Sequence, residues 1–377
     1  MPFGRSVVRV ANPDGLLLGQ LFGSLESVTW RADGYGTAAL LLSAAVATES
    51  AYLLEVGNRV RVDFDNGLPP WGGLVDLPAE TAGGVTRVQL YEAGYLLGQT
   101  LTPRSVLYDA DNQATAGSIM WGLLERSPVA LEGRTPRSEG PVVSAAFVFE
   151  TLLSAFAKLR DLDAHLHYYV QLLDSGGVNE TGFEFITFHD DTPDTRPQAI
   201  LREGHNFVGT RDVVQGPLVN VLIVATGDAV LDGRIELPEP ERTTTSPYGG
   251  YEVSRLNNAG EGDVLIISYT PSIRRYGRRE ALIVLSDVIG AEQPGRAVEF
   301  ARAYLDIHAR PTRRISGVAL NLSPGRWDNI RIGRRVTVER QKADEEWRRQ
   351  ELLVLGMDFS PAEGTLRLVF AEPTEEL

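Results

Sequence analysis

Short runs of alternating apolar and polar residues fill the first hundred positions of the chain. Glycine, proline, asparagine and aspartate separate these runs, as they separate the strands of a barrel or sandwich. The predicted strands are Ser6–Val10, Glu26–Trp30, Thr37–Ser43, Arg59–Phe64, Gly72–Leu77 and Val85–Tyr91. The small-residue apolar run Ala38–Val46 is also predicted to be a strand. We therefore expect a β-domain at the N-terminus.

The pattern changes after Thr102, where apolar residues recur at helical spacing. This spacing predicts two helices followed by two strands: Ala114–Arg126, Ala146–Arg160, His165–Val170 and Phe183–Phe188. Residues 105–204 are therefore predicted to form an α/β domain inserted into the first β-domain.

Strand-like segments return at Asn206–Val214 and Leu218–Thr226. We expect them to complete the first barrel, so that residues 1–104 and 205–235 form one domain. The segment Leu237–Gly250 is rich in proline, threonine and glycine and predicts an exposed linker. A helix over Pro294–Ala309 begins with proline, whose fixed φ suits a first helical turn. The linker and this helix belong to a predicted peripheral domain, residues 236–310.

The remaining chain, residues 311–377, is predicted to be a second β-domain. Its strands are Arg314–Leu322, Arg334–Glu339, Glu351–Phe359 and Thr365–Phe370. The charged hairpin Arg340–Gln350 carries Trp347. We interpret this hairpin either as an arm that reaches a neighbouring subunit or as a solvated turn.

A short pattern occurs twice, once near each end of the chain. Gly57–Val62 is followed by Gly73–Glu80, and Gly333–Val338 is followed by Gly356–Glu363. In both second segments, Gly and then Pro-Ala-Glu stand at the same offsets. Chance is the alternative explanation, because glycine and proline mark turns everywhere. We interpret the pattern as a duplicated β-unit, which gives a ring of three chains six similar positions.

Composition narrows the possible functions. A chain of 377 residues predicts two to four domains. The absence of cysteine excludes disulfides, zinc–thiolate sites and thiol nucleophiles. A net charge of −14 argues against a dedicated nucleic-acid binder, although simple solubility also explains it. The chain contains no run of about 18 apolar residues, so we expect no stable membrane insertion.

Three polar clusters are candidates for metal binding. His165 and His167 lie two apart on a predicted strand and supply half a site, with ordinary strand packing as the simpler interpretation. His189–Asp191 with Asp194 follows a strand and is more typical of a turn. Asp109–Asn112 lacks the glycine and the distal glutamate of a calcium loop, and is predicted to cap the following helix.

Catalytic motifs are absent from the sequence. It contains no Gly-x-Ser-x-Gly elbow, P-loop, dinucleotide-binding glycine motif or His-Glu-x-x-His. Paired carboxylates, as in glycosidases, stay open because no spacing singles out one pair. We therefore predict no enzyme activity and assign no catalytic, cofactor-binding or metal-binding residue.

Several segments carry a resemblance to a known family. The stretch Ser272–Glu280, the helix Ala297–Leu305, Arg310-Pro311 and Ile332–Val338 occur in an order that resembles the hub proteins of long-tailed bacteriophage tail tips and baseplates. Near the N-terminus, Gly57–Val62, Trp71–Val75 and Tyr91–Leu97 are similar to the opening β-domain of that family. The resemblance covers most of the chain except the middle of the inserted domain.

The resemblance implies a mainly β chain with α/β insertions: two similar tube-forming β-barrel domains and peripheral α+β domains. It further implies a homotrimer at the distal end of a virion tail, which continues or closes the tail tube and opens for DNA passage. Its implied partners are the tape-measure protein, a distal tail ring protein, and tail fibres or other tip proteins. DNA would cross the lumen without specific binding.

Two functions from other classes remain as alternatives. One is a cell-wall glycoside hydrolase that uses paired carboxylates. The other is a carbohydrate-binding module for host recognition, whose usual sign is a cluster of exposed aromatic residues. The five tryptophans (Trp30, Trp71, Trp121, Trp327 and Trp347) are instead scattered along the sequence.

Overall fold

The computed structural model describes residues 5–76, 80–102, 106–108, 114–129, 131, 133–135, 140, 142–143, 145–147, 150–163, 165–173, 181–189, 199–212, 218–226, 245–248, 250–257, 263–285, 298, 301–302, 304–306, 308–309, 314–341 and 347–371. The described residues are mainly β-structure, as the sequence predicts.

The first hundred residues form β1 (Ser6–Ala11), β2 (Leu17–Leu21), β3 (Ser24–Arg31), β4 (Thr37–Ser43), β5 (Arg59–Phe64), β6 (Trp71–Val75), β7 (Glu80–Ala82), β8 (Val85–Glu92) and the short helices α1 (Ala44–Glu49) and α2 (Tyr95–Gln99). The predicted strand Ala38–Val46 is too long. It ends at Ser43 because the Ser43 hydroxyl accepts a hydrogen bond from the Val46 N–H and caps α1. A 3-10 turn, Ala51–Leu54, then leads toward β5.

The middle block contains β9 (Val106–Tyr108), α3 (Ala116–Glu125), β10 (Gly133–Thr135), β11 (Ala145–Phe147), α4 (Leu152–Leu162), β12 (Leu166–Leu172) and β13 (Phe183–His189). The cap predicted at Asp109–Asn112 is wrong, because the Thr115 hydroxyl accepts from the Ser118 N–H and starts α3. Helix α4 begins later than predicted, since Thr151 caps it and β11 pairs with β9. One hydrophobic core joins α3, α4, β12 and β13.

The next block contains β14 (Ile200–Arg202), β15 (Phe207–Asp212), β16 (Val221–Thr226), β17 (Thr245–Tyr248), β18 (Tyr251–Asn257), β19 (Asp263–Tyr269), α5 (Thr270–Tyr276) and β20 (Glu280–Leu285). Strands β17, β18, β19, β16 and β20 form a separate sheet in that order. Residues 298, 301–302, 304–306 and 308 are helical, and Ala301 and Leu305 pack on this sheet. The predicted helix start at Pro294 lies outside the described residues. Residues 237–244 of the predicted linker also lie outside them, whereas Thr245–Tyr248 is a strand.

The C-terminal block contains β21 (Arg314–Ala319), a 3-10 turn (Trp327–Asn329), β22 (Arg335–Gln341), β23 (Trp347–Ser360) and β24 (Thr365–Phe370). Strands β22 and β23 pair as far as Gln341 and Trp347, so the predicted charged hairpin is an extended two-stranded arm. Residues 342–346 of this arm lie outside the described residues.

One sheet runs through both ends of the chain. Its strand order is β15-β21-β24-β23-β3-β4-β8-β6-β5-β1-β2, with β14, β22 and β7 attached beside it. The prediction that β15 and β16 complete the first barrel is wrong at the level of strand pairing. Strand β15 pairs with β21, and β16 pairs with β19 and β20 in a separate sheet. The described strands form no closed barrel.

Two five-strand units within this sheet have the same topology. We define the first unit as β3, β4, β5, β6 and β8, and the second unit as β15, β21, β22, β23 and β24. If the five strands of each unit are numbered in chain order, their spatial order in the sheet is 1-2-5-4-3 in both units. Every pair of neighbouring strands is antiparallel. This shared order is the structural counterpart of the repeated sequence pattern.

The glycine that opens each sequence repeat performs the same task in both units. The Asn58 N–H donates to the Glu55 carbonyl, and the Arg334 N–H donates to the Arg331 carbonyl, which closes a four-residue turn in each unit. Gly57 and Gly333 occupy the third position with φ of 91° and 72°. This position of a type II turn requires positive φ and therefore favours glycine.

The same turns fix the pairing of the next strands. The Gly57 N–H donates to the Val75 carbonyl at 2.8 Å, and the Gly333 N–H donates to the Val354 carbonyl at 2.9 Å. Val75 is therefore equivalent to Val354, and the alignment of Gly73 with Gly356 is wrong by several residues. The Pro-Ala-Glu match fails for the same reason, since Glu80 pairs with Arg87 within a strand while Glu363 lies in a turn.

Both units contribute to one hydrophobic core. It includes Val60 and Leu90 from the first unit and Val338 and Phe370 from the second, all essentially inaccessible to water. Because the core is continuous, burial of apolar area on folding stabilises the two units together.

We expect Gly57→Ala and Gly333→Ala each to lower the free energy of unfolding by about 1–2 kcal/mol, because alanine resists positive φ. Chemical denaturation checks this. Gly98→Ala is the matched control, since Gly98 lies in α2 and an added Cβ meets only ordinary contact with Leu153. The equivalence of the two turns would be contradicted by a large loss for one variant and none for the other.

Candidate functional site at the junction of the two units

The two units are joined by an antiparallel pairing between their strands. Residues 356–359 of β23 pair with residues 28–31 of β3, with Asp358 opposite Thr29 and Phe359 opposite Val28. Strand β23 is long enough to pair with β22 through its first half and with β24 and β3 through its second half. We call this pairing and the side chains around it the junction.

Aromatic side chains pack under the junction. The Phe64 ring lies 5.7 Å from the Trp30 ring and 5.9 Å from the Phe359 ring, measured between centroids. Trp327 continues the row at 5.5 Å from Phe359. Edge-to-face and tilted contacts at these distances add stabilisation beyond burial of area. The row crosses from the first unit to the second at the contact between Phe64 and Phe359, and this contact resists separation of the units.

A loop contact adds to the strand pairing. The loop between β5 and β6 lies against the 3-10 turn Trp327–Asn329 of the second unit. The Asn321 side-chain amide donates to the Asn66 carbonyl at 2.8 Å. Gly67 lies so close to Asp328 that an added Cβ would be 3.1 Å from its backbone nitrogen. The junction therefore has two contact areas, one between strands and one between loops.

Arg31 holds the edge of the junction. Its guanidinium forms a salt bridge with Asp358 and donates to the carbonyls of Trp30 at 2.9 Å and Met357 at 3.3 Å. Both charged side chains are about one-third exposed. The ion pair alone therefore contributes little, and the fixed geometry comes from the carbonyl contacts.

Glu92, at the end of β8, is buried beneath the turn that follows β3. Its carboxyl accepts hydrogen bonds from the Gly36 N–H and, at 3.3 Å, from the Arg31 N–H. Burial raises the pKa of Glu92 to about 8, although the two N–H donors oppose that rise. The carboxyl is consequently mainly neutral at pH 7.

Asp33 connects the first unit to the middle block. Its carboxylate lies 2.8 Å from His167 Nδ1, 3.1 Å from the Arg160 guanidinium and 3.2 Å from the Tyr168 N–H. Burial raises the pKa of Asp33, but His167, Arg160 and the hydrogen bonds outweigh burial and hold this pKa below its usual value. Asp33 has φ of 61°, which aspartate and asparagine tolerate better than most residues.

The predicted metal candidates are not brought together. His167 contacts Asp33, whereas the His165 ring lies tilted against His189, whose imidazole contacts Asp163. Asp190, Asp191, Asp194 and Asp109–Asn112 lie outside the described residues. Within the part of the chain that the structure describes, no three His, Asp or Glu side chains are arranged to hold a metal ion. None of the helices described there combines the length and the apolar character needed to cross a bilayer.

The junction is therefore the place where three parts of the chain meet. It brings together the first unit, the second unit and the middle block around the turn Ala32–Gly36. No sequence pattern marks Arg31, Asp33, Asp358 or Glu92 as functional residues. An Asp-Gly turn signal at Asp33 was present, but no local pattern reveals which distant charges a turn will meet.

Comparison with known proteins supports the fold resemblance. No protein-family model and no curated protein sequence matches the chain. The 43 kDa tail protein of prophage MuSo2 from Shewanella oneidensis has a similar structure, with a TM-score of 0.52 and 12% identity over 98% of each chain. The chain thus has the fold of a prophage tail protein, and the family resemblance predicted from the sequence is confirmed at the level of the fold.

Two more distant structures are similar along the chain. Prophage tail protein gp18 from Listeria monocytogenes EGD-e has a TM-score of 0.47 and 10% identity over 98% of this chain and 95% of that one. The Escherichia coli c3393 protein, a component of the type VI secretion system, has a TM-score of 0.44 and 11% identity over 99% of this chain and 75% of that one.

The Glu92 carboxyl makes stability depend on pH. Its folded pKa of about 8 exceeds the usual 4.5, so its stabilising contribution is complete below pH 4.5 and is lost as pH rises toward 8. We expect the wild type to lose on the order of 1 kcal/mol per pH unit in this window, relative to Glu92→Gln. Denaturation at several pH values measures the difference, with Glu55→Gln, at an exposed position, as control. Parallel pH profiles for wild type and Glu92→Gln would contradict the assignment.

Asp33→Asn keeps a residue suited to positive φ and removes the charge. At pH 7 we expect it to lower the free energy of unfolding by about 1–3 kcal/mol, because buried partners lose a charged acceptor. Since the pKa of Asp33 is depressed, the wild-type advantage should shrink as pH falls below the usual value of 3.8. The exposed Asp14→Asn serves as control in the same denaturation series. An advantage that persists unchanged into acid would show that charge is not the cause.

Proposed function

We propose that this chain is a structural virion protein, the homotrimeric hub of a phage tail tip or baseplate. The observation that carries the proposal is the pair of topologically identical units joined edge to edge in one sheet. Three chains contribute six such units, which matches a sixfold tube above the hub. Similarity to a prophage tail protein supports the same class of function.

The proposed tube is built from two similar β-barrel domains per chain, each closed by contacts with its neighbours. The C-terminal strands within residues 311–377, together with β15, belong to the second of these domains. Residues 105–204 and 236–310 are proposed as the peripheral domains. Heterologous contacts of this kind close into a ring when the rotation between units is one-sixth of a turn.

The proposed mechanism is conformational. At the distal end of the tail the hub closes the tube, and it opens when the tip binds the cell surface. A net charge of −14 favours passage of DNA without trapping, because like charges repel across the lumen. Proposed partners are the tape-measure protein above, and a distal ring protein and fibres around the hub.

The alternative carbohydrate-binding function is less well supported. Trp30, Trp71 and Trp327 are buried in the shared core, where they cannot stack on a sugar. Trp30 and Trp327 belong to the aromatic row of the junction. We therefore propose assembly as the function of this chain in preference to carbohydrate binding, and we assign no enzymatic activity to it.

Light scattering and electron-microscope class averages of the concentrated, purified chain test the proposal. We expect particles of three times the 41.2 kDa chain mass, with a central pore and six similar inner lobes. Asp14→Asn, on the exposed tip of the β1–β2 hairpin, is expected to assemble like the wild type. Compact monomers at every concentration, without rings, would argue against a self-assembling hub.

A further inference from the structure

The junction within one chain defines two complementary edges of the repeated unit. The second unit contributes the end of its fourth strand, β23, and the first unit contributes its first strand, β3. Because the units share one topology, each unit has both kinds of edge. Within one chain only one edge of each kind is used.

The two unused edges are β15 and β7. Strand β15 is the first strand of the second unit and pairs with β21, and β7 extends the fourth strand of the first unit and pairs with β8. Among the described strands, none pairs with the other side of either one, and on that side of β15 the described residues form an isolated bridge between Glu203 and Phe207 at its first residue. Val208 on β15 is 58% exposed, so this strand carries an apolar side chain at the surface of the described structure.

Unpaired strand edges are sites where another chain adds a strand. We propose that β15 of one chain pairs antiparallel with β7 of a second copy and thereby repeats the junction between chains. This inference rests on the proposed trimer and names the surface that closes it. The occupant is a second copy because the same chain already contains the complementary edge in the complementary unit.

The repeat also fixes the register of this pairing. The units can be aligned by matching Leu90 of β8 to Phe370 of β24, which also matches Arg87 to Arg367. Glu80 lies opposite Arg87 and Asp358 lies opposite Arg367, so Glu80 and Asp358 are equivalent positions. The first strands of the two units align in the same way. Val28 is connected to Leu90 through its partner Ala38, and Arg211 is connected to Phe370 through its partner Ile315. Val28 is therefore equivalent to Arg211, and Thr29 to Asp212. Asp358 lies opposite Thr29 within the chain. The equivalent pair between chains is therefore Glu80 opposite Asp212.

The loop contact of the junction repeats in the same direction. Within a chain, the loop between β5 and β6 lies on the 3-10 turn of the second unit. In the proposed contact between chains, the β22–β23 arm takes the place of this loop. It lies on the segment from α1 to Val56 of the next copy, which takes the place of the 3-10 turn. Tyr52 and Val56 in that segment are 54% and 64% exposed. An arm that reaches a neighbouring subunit was one of the two interpretations of the charged hairpin, and this segment gives such an arm an apolar surface to cover.

Cysteine cross-linking tests the pairing without background, because the chain contains no cysteine. After oxidation, Glu80→Cys with Asp212→Cys in one chain is expected to give covalent dimers and trimers on a non-reducing gel. An equimolar mixture of the two single variants is expected to give dimers only, and neither single variant alone is expected to cross-link. Thr29→Cys with Asp358→Cys is the matched control and is expected to cross-link only within a chain.

The outcomes separate this inference from the proposed hub. Trimers by light scattering without cross-linked chains would overturn the β15–β7 pairing and leave the hub proposal standing. Cross-linking of a single variant with itself would also overturn the pairing, because it requires a symmetric contact. Monomers without cross-links would overturn both. The pairing would be established by cross-linked trimers from the folded double variant, together with dimers only from the mixture of the two single variants.

Discussion

The structure depends on one constraint: the last half of β23 must find a partner strand. Strand β23 cannot pair with β22 along its whole length, because the two strands separate beyond the pair formed by Arg335 and Leu353. Pairing with β24 and β3 satisfies its backbone groups and brings the two ends of the chain into one sheet. The continuous core and the aromatic row both follow from that contact, since neither exists within one unit.

Titratable side chains are concentrated where this contact needs a fixed shape. The turn after β3 is held from three sides: Arg31 reaches the second unit, Asp33 reaches the middle block and Glu92 lies beneath. Burying a carboxyl without a close ion pair is costly, so Glu92 becomes neutral, whereas Asp33 keeps its charge beside the Arg160 guanidinium and the His167 imidazole. The two carboxyls therefore give the junction opposite responses to pH, one on the alkaline side and one on the acid side.

Local sequence patterns predicted the strands and turns well but did not predict their partners. Alternation located β4 and β5 to the residue, and the glycine at position 57 or 333 marked the same turn in both units. The same patterns placed β15 in the wrong half, because period-two alternation records burial and says nothing about which edge is adjacent. Asp33 and Glu92 were missed for a related reason, since their roles come from groups distant in sequence.

The two units differ at the strand that faces away from the junction. In the first unit β1 covers β5 in antiparallel pairing, and in the second unit β14 covers β22 in parallel pairing. Different segments thus close the same edge, which removes it from assembly. The edges left at the first and fourth strands are of the same two kinds that pair with each other at the junction. A ring built this way forms half of its junctions during folding and needs association only for the other half.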